Sequence, residues 1–188
     1  MDSLLSALVG CLLGEIGDKS QLLLLALAIR FNRDGAVIAG MVVAALANAA
    51  ISASAGAFIG PMLGGDARLL FLSLSILFLG LGMLWPAKAP DTLSGWRLGP
   101  FLTAMLGLFI LGFGDGPQFL ILGIAARSGD PVLAGIGGAI GVIGAGLPVV
   151  LLRQRFYAIM PLRAIRIAGA CILLLIGAVA ALTALRLF

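Results

Sequence analysis

The 188 residues are 62% hydrophobic and only 11% charged, and their mean hydropathy is +1.21. Because a soluble domain carries about 25% charged residues, this composition excludes a water-soluble fold and predicts an all-α membrane protein. The net charge of +4 is attributed to the loops of such a protein. Membrane lipid is therefore an expected partner and nucleic acid is not.

About 20 mainly apolar residues are needed to cross the hydrocarbon core of a bilayer. Breaks rich in Gly, Pro and charged residues divide the chain into six apolar segments. We therefore predict one transmembrane domain over residues 1–188 with six membrane-spanning helices. In chain order the segments are 4–31, 36–62, 67–85, 100–126, 132–152 and 165–187.

The first segment carries ionisable side chains in the middle of an apolar span, namely Glu15, Asp18 and Lys19. Such residues are costly inside a membrane and usually mark an ion or proton path. Their spacing predicts that Glu15 and Asp18 share one face of a helix, with Gln21 the next residue along it. The alternative is an intrahelical ion pair between Glu15 and Lys19, with Asp18 and the later Asp115 bonded to neighbouring backbone groups.

The second segment contains one central amide, Asn48. It is expected either to line the same cavity as the acidic residues or to make a plain hydrogen bond between helices. The sequence leaves both roles open.

The fourth segment repeats the Gly-Asp pair of the first, because Gly114-Asp115 follows Gly17-Asp18 by 97 residues. Transporters are often built from two halves of opposite orientation. Three helices in each half is an odd number, so the halves must face opposite ways across the bilayer. We predict a first repeat over about residues 1–86 and a second over about 98–188.

Facing repeats would gather an all-oxygen site between the two Gly-Asp pairs. Carboxylate, amide and hydroxyl oxygens suit hard divalent ions such as Ca²⁺ or Mn²⁺. Glycine beside each aspartate, with Pro117 in the second motif, would also weaken the helix and free backbone carbonyls as ligands. The predicted ligands are Glu15, Asp18, Asp115, Gln21, Gln118 and Ser20, and Lys19 is predicted to tune their charge.

The formal charge of this predicted site matches one divalent cation. Three carboxylates contribute −3 and Lys19 returns +1. When the cation leaves, desolvation and mutual repulsion would favour proton uptake by the carboxylates. The sequence has no histidine, so carboxylates must carry any proton. No separate cofactor is predicted, and an enzyme is not expected, because no nucleophile lies beside a base.

Positive charge predicts the orientation, since cytoplasmic loops carry the excess of Lys and Arg. Eight basic residues are predicted to lie in the loops after the first, third and fifth segments, and three on the opposite side. This distribution predicts a multi-pass protein of the cell inner membrane with both termini on the extracytoplasmic side. The eight are Arg30, Arg33, Lys88, Arg97, Arg153, Arg155, Arg163 and Arg166; the three are Arg68, Arg127 and Arg186.

The run Glu15-Ile16-Gly17-Asp18-Lys19-Ser20 resembles the Glu-x-Gly-Asp-Lys-Ser/Thr signature of the Gdt-one type family of manganese/calcium:proton antiporters. The resemblance implies cation/H⁺ exchange, with the motif acids Glu15 and Asp18 in the ion site. The second motif departs from the family pattern. The family's Glu, Lys and Ser/Thr correspond there to Gly112, Gly116 and Pro117.

The primary hypothesis is a secondary active transporter that exports Mn²⁺ or Ca²⁺ from the cytoplasm in exchange for protons. One alternative is a small-solute exporter of the amino-acid efflux type. The other is a non-transporting membrane subunit that needs a partner with an intact second motif. Homo- or hetero-oligomers are left open by the sequence.

Overall fold

The computed structural model describes residues 1–187, which form nine α-helices and one 3-10 turn at Gly60–Met62, with no β-strand in that range. The all-α prediction is confirmed. The helices are α1 (Asp2–Glu15), α2 (Lys19–Phe31), α3 (Asp34–Ile59), α4 (Gly65–Leu84), α5 (Pro100–Gly112), α6 (Gly116–Ser128), α7 (Pro131–Leu152), α8 (Gln154–Ile159) and α9 (Leu162–Ala184).

Four helices are long and apolar enough to cross a membrane, namely α3 with its 3-10 turn, α4, α7 and α9. Helices α5 and α6 meet at an angle of 67° and count as a fifth span when taken together. The chain is therefore a multi-pass membrane protein. At about 1.5 Å per residue, neither α1 nor α2 is long enough to cross the hydrocarbon alone, and the count of six spans stays a prediction.

Segments 4–31 and 100–126 were each predicted as one span, and each is broken in two at its Gly-Asp pair. Gly17 and Gly114 have φ values of +72° and +76°. That left-handed conformation is accessible to glycine and cannot continue a right-handed helix. The predicted weakening beside each aspartate is confirmed. The prediction of one uninterrupted helix through each motif is wrong.

Two glycines bring pairs of helices into backbone contact. Gly137 of α7 lies against the carbonyl of Leu4 in α1, and Gly40 of α3 lies against the carbonyl of Phe101 in α5. A Cβ at either glycine would overlap the facing backbone. In a lipid environment such close approach is a main source of helix association. These contacts hold α1 and α5, which carry the helix breaks, against the long helices α7 and α3.

Two sequence predictions near the start of α9 need correction. The connection predicted over residues 153–163 contains the short helix α8. Arg166 was counted among the loop charges, but it lies in α9 and is only 8% exposed. Counting charges along the chain could not show that the arginine side chain points into the helix bundle.

Candidate functional site

The two helix breaks lie against each other. Asp18 and Asp115 are the N-caps of α2 and α6, and Asp115 Oδ1 accepts a hydrogen bond of 2.9 Å from the N–H of Gly116. Lys19 Nζ lies 3.3 Å from Asp115 Oδ2, which joins the first motif to the second. Within the described range, no ion pair links Lys19 to Glu15. The intrahelical pair considered from sequence is therefore replaced by a pair between motifs.

A cavity of about 50 Å³, here called the central cavity, lies beside the breaks. Ser20 Oγ donates a hydrogen bond to Glu15 Oε2 at its wall. Both side chains are at least nine-tenths buried. The polar residues of the lining are Glu15, Ser20, Asn48, Asp115 and Gln118.

Three polar atoms around the central cavity lack a hydrogen-bond partner in the described part of the chain. They are Asn48 Oδ1, Gln118 Nε2 and Asp115 Oδ2, the last of which contacts the Lys19 ammonium without accepting a hydrogen bond. A buried polar atom left unsatisfied costs about 1–3 kcal/mol. The central cavity is therefore suited to a polar or charged guest.

A second cavity of about 80 Å³, here called the side cavity, lies on the other side of Asp115. Its charged lining consists of Asp18, Asp115 and Arg166. Arg166 Nη1 lies 3.9 Å from Asp18 Oδ1. Asp115 thus borders both cavities, with Glu15 on one side and Asp18 on the other.

The prediction that Glu15 and Asp18 share one helix face is wrong. Glu15 ends α1 and Asp18 precedes α2, so the turn at Gly17 separates them. Over residues 1–187, no three carboxylate or thiol side chains are arranged to hold a metal ion together. Asp115 shares the central cavity with Glu15 and the side cavity with Asp18, but neither cavity is lined by all three acids.

Gln21 and Gln118 brace the two breaks in the same way. Gln21 Oε1 accepts a hydrogen bond from Gly17 N–H and Gln118 Oε1 accepts one from Gly114 N–H, both at 2.8 Å. Gln21 Nε2 also donates to the carbonyl of Ala145 at 2.7 Å. This bracing task was not foreseen, although the glycine four residues before each glutamine was its signal. Cation binding by either amide stays a prediction.

Asn48 fills the space beside Gly112, which is the position that repeats Glu15. Asn48 Nδ2 donates to the carbonyl of Phe109 at 3.3 Å, so the residue makes a hydrogen bond between helices as well as lining the cavity. A Cβ at Gly112 would lie 2.9 Å from Asn48 Nδ2. The amide therefore occupies the room that a second glutamate would need.

Arg166 is the charged residue near the motifs that sequence reasoning missed. It lies inside the predicted span 165–187, and that position was the available signal. Its guanidinium donates to backbone carbonyls at the carboxyl ends of α1 and α4. The acceptors are Ile16, Gly82, Met83 and Trp85.

Comparison with known proteins gives two matches. The sequence profile of a family described as divalent cation/proton antiporter GDT1 matches residues 3–91 and 100–187. A protein of Vibrio cholerae serotype O1 (strain ATCC 39541 / Classical Ogawa 395 / O395), named as a candidate manganese exporter, is 33% identical over 166 residues, covering 88% of this chain and 83% of the relative. No solved structure shows significant similarity to the chain.

Proposed function

The chain belongs to the divalent cation/proton antiporter GDT1 family, and from that premise we propose that it exports Mn²⁺ or Ca²⁺ from the cytoplasm in exchange for protons. The observation that carries the proposal is the meeting of the two helix breaks at Asp115. Its carboxylate borders the central cavity with Glu15 and the side cavity with Asp18. Buried acids at interrupted helices are the usual setting of ion sites in secondary transporters.

Pairs of equivalent contacts support two inverted three-helix repeats. In each pair, a glycine of the first half contacts a residue of the second half, and the glycine 97 positions later contacts the residue 97 positions before that partner. The boundary between the two family matches also falls where the predicted repeats divide. The paired contacts are Gly40 to Phe101 with Gly137 to Leu4, Gly80 to Leu174 with Gly177 to Leu77, and Gly10 to Leu120 with Gly107 to Leu23.

On this proposal the six spans are α1 with α2, α3, α4, α5 with α6, α7, and α9. The predicted excess of positive charge on one side then places both termini outside a cell inner membrane. Alternating access would follow from rocking one repeat against the other around the meeting point of the breaks.

The central cavity offers the oxygens of a hard divalent site. Glu15 and Asp115 supply charge, Asn48 Oδ1 supplies a neutral oxygen with no hydrogen-bond partner among residues 1–187, and Ser20 can rotate its hydroxyl toward a guest. Gln118, which also lines this cavity, would complete the shell through the second lone pair of its oxygen, while Gln21, which does not line it, would hold the first break in place through Gly17 N–H. Asp18, on the side-cavity face of Asp115, would take the ion as it passes from one cavity to the other.

Lys19 is the cation that a metal ion would have to replace at Asp115. The ammonium lies 3.3 Å from Oδ2 and is 36% exposed, so it can withdraw toward solvent. Protons would re-enter the carboxylates once the metal has left, since carboxylates that share a poorly solvated cavity repel each other. Cation and proton binding thereby exclude each other, which is the requirement for exchange.

The test is transport by purified protein in proteoliposomes that contain a pH-sensitive dye. An imposed Mn²⁺ or Ca²⁺ gradient is expected to drive protons in the opposite direction, with Mg²⁺ as the comparison ion. Amino acids applied in the same way test the small-solute alternative. Failure of every divalent cation to move protons or accumulate would reject the proposed exchange.

A further inference from the structure

The two repeats differ in the cation that faces each aspartate. Lys19 reaches across to Asp115, with Nζ 3.3 Å from Oδ2. The residue 97 positions after Lys19 is Gly116, which has no side chain to reach back to Asp18. A Cβ at Gly116 would lie 2.6 Å from Leu79 Cδ1, so Leu79 fills the space beside it. The second repeat therefore gives Asp18 no lysine.

A cation from outside both motifs takes that place. Arg166 of α9 is 8% exposed and its Nη1 lies 3.9 Å from Asp18 Oδ1. A buried guanidinium needs a compensating charge or several acceptors. In the described part of the chain Asp18 and Asp115 each have one ion-pair partner, Arg166 and Lys19 respectively, and only Lys19 belongs to a motif.

The guanidinium is held by backbone as well as by Asp18. It donates to the carbonyls of Gly82, Met83 and Trp85 over 3.3, 3.2 and 2.9 Å, at the end of α4. It also donates to Ile16 O at the first break, over 3.4 Å. The carboxyl end of a helix attracts positive charge. Four carbonyls therefore fix Arg166 in place, whereas the ammonium of Lys19, on a side chain that is 36% exposed, has a path to solvent.

Arg166 also stands between the side cavity and a larger one of about 610 Å³, whose lining includes the exposed residues Trp85 and Arg163. The two cavities share Met83 and Arg166 in their walls. A cation that travels between them passes the guanidinium on its way to or from Asp18.

We infer that Arg166 replaces the lysine missing at Gly116 and acts as a fixed counter-charge to Asp18. It weakens the hold of Asp18 on the transported dication, so that the ion can be released. This role rests on the proposed function, because it concerns the same cation path. The site therefore has a second positive charge even though the second motif lacks the Lys and Glu of the family pattern.

The first test compares Arg166→Gln with Arg166→Lys in the full-length protein reconstituted in proteoliposomes. Removing the charge is expected to lower the half-saturating Mn²⁺ concentration roughly tenfold, as neighbouring charges commonly couple, and to slow maximal transport because release is hindered. Arg166→Lys keeps the charge and should keep half-saturation close to the native value. Arg155→Gln, which is exposed in α8 and lines neither cavity, is the control and should change neither quantity.

A purely structural arginine predicts a different result. Both Arg166 variants would then melt at lower temperature and transport less, with half-saturation unchanged, and that outcome would overturn the inference. A native protein that moves no divalent cation would instead overturn the proposed function itself. The two failures are therefore distinguishable in one experiment.

The second test moves the charge to the position that the repeat predicts. Arg166→Gln is combined with Leu79→Ala, which removes the side chain beside Gly116, and then with Gly116→Lys. The lysine is expected to return half-saturation toward the native value relative to the double variant without it. A triple variant that behaves like the double variant would show that positive charge beside Asp18 is not what Arg166 supplies.

Discussion

Replacing Asp115 by asparagine removes one negative charge and changes little else in shape. The side chain accepts the Gly116 N–H that caps α6, and the asparagine oxygen can accept the same hydrogen bond. The ion pair with Lys19 is lost. Because Asp115 borders both cavities, this is the substitution with the largest expected effect on transport.

The expected effect on folding is small. At 3.3 Å, Coulomb's law gives about 5 kcal/mol for an effective dielectric constant near 20 and about 1.3 kcal/mol in water. Lys19 is 36% exposed, so solvent screens the pair and we take about 1 kcal/mol or less for stability. A dication carries twice the charge of Lys19 and would lose a direct carboxylate ligand. Its affinity should fall at least about tenfold, equivalent to about 1.4 kcal/mol.

The assay is cation-driven proton flux in proteoliposomes, with the thermal midpoint measured on the same preparation. At the Mn²⁺ concentration that half-saturates the native protein, a tenfold loss of affinity lowers occupancy about fivefold, so Asp115→Asn is expected to lower flux by at least that factor, while the midpoint falls by only a few degrees. The matched control is Asp66→Asn, which breaks the exposed pair between Asp66 and Arg186 and should leave flux unchanged. Native flux in Asp115→Asn would refute the placement of the cation path at the two breaks.

Four further predictions follow from individual contacts. Glu15→Gln keeps a hydrogen-bond acceptor for Ser20 but removes a proton carrier, so fewer protons should move per cation, and an unchanged ratio in reversal-potential measurements would contradict this. Asn48→Asp places a third carboxylate at the central cavity and should tighten Mn²⁺ binding in calorimetry; weaker binding would count against a cation there. Gln21→Ala leaves Gly17 N–H unpaired and removes the hydrogen bond to Ala145 O, so it should lower the free energy of unfolding by about 1–3 kcal/mol, which a native melting curve would disprove. Gly137→Ala should destabilise the packing of α1 on α7, whereas Gly35→Ala, with open space around it, should not; equal melting temperatures would be inconsistent with the close approach.

Hydropathy located the long apolar helices, because the backbone N–H and C=O groups of an apolar segment in lipid must be hydrogen-bonded within a helix. The Gly-Asp pairs also indicated where helices would weaken, since glycine tolerates the left-handed backbone seen at Gly17 and Gly114. The offset of 97 residues predicted that Asp18 and Asp115 would lie near each other, and both border the side cavity. These inferences used only local pattern and repetition.

Other features of the site depend on where helices sit, which a one-dimensional pattern does not contain. Helical spacing placed Glu15 and Asp18 together, but the turn at Gly17 sends them to different cavities. Charge counting placed Arg166 in a loop, although packing of α9 on α4 turns it inward. The filling of the Gly112 position by Asn48 joins residues far apart in sequence. Each difference arises from tertiary contacts between helices.

The most direct test of the account is to locate bound Mn²⁺ in crystals of the full-length protein by anomalous X-ray scattering. A peak is expected at coordination distance from carboxylate oxygens of Glu15 and Asp115, with Lys19 displaced from Asp115. A peak confined to the exposed acids Asp66 or Asp130, with the Lys19 pair intact, would contradict a cation site where the two helix breaks meet.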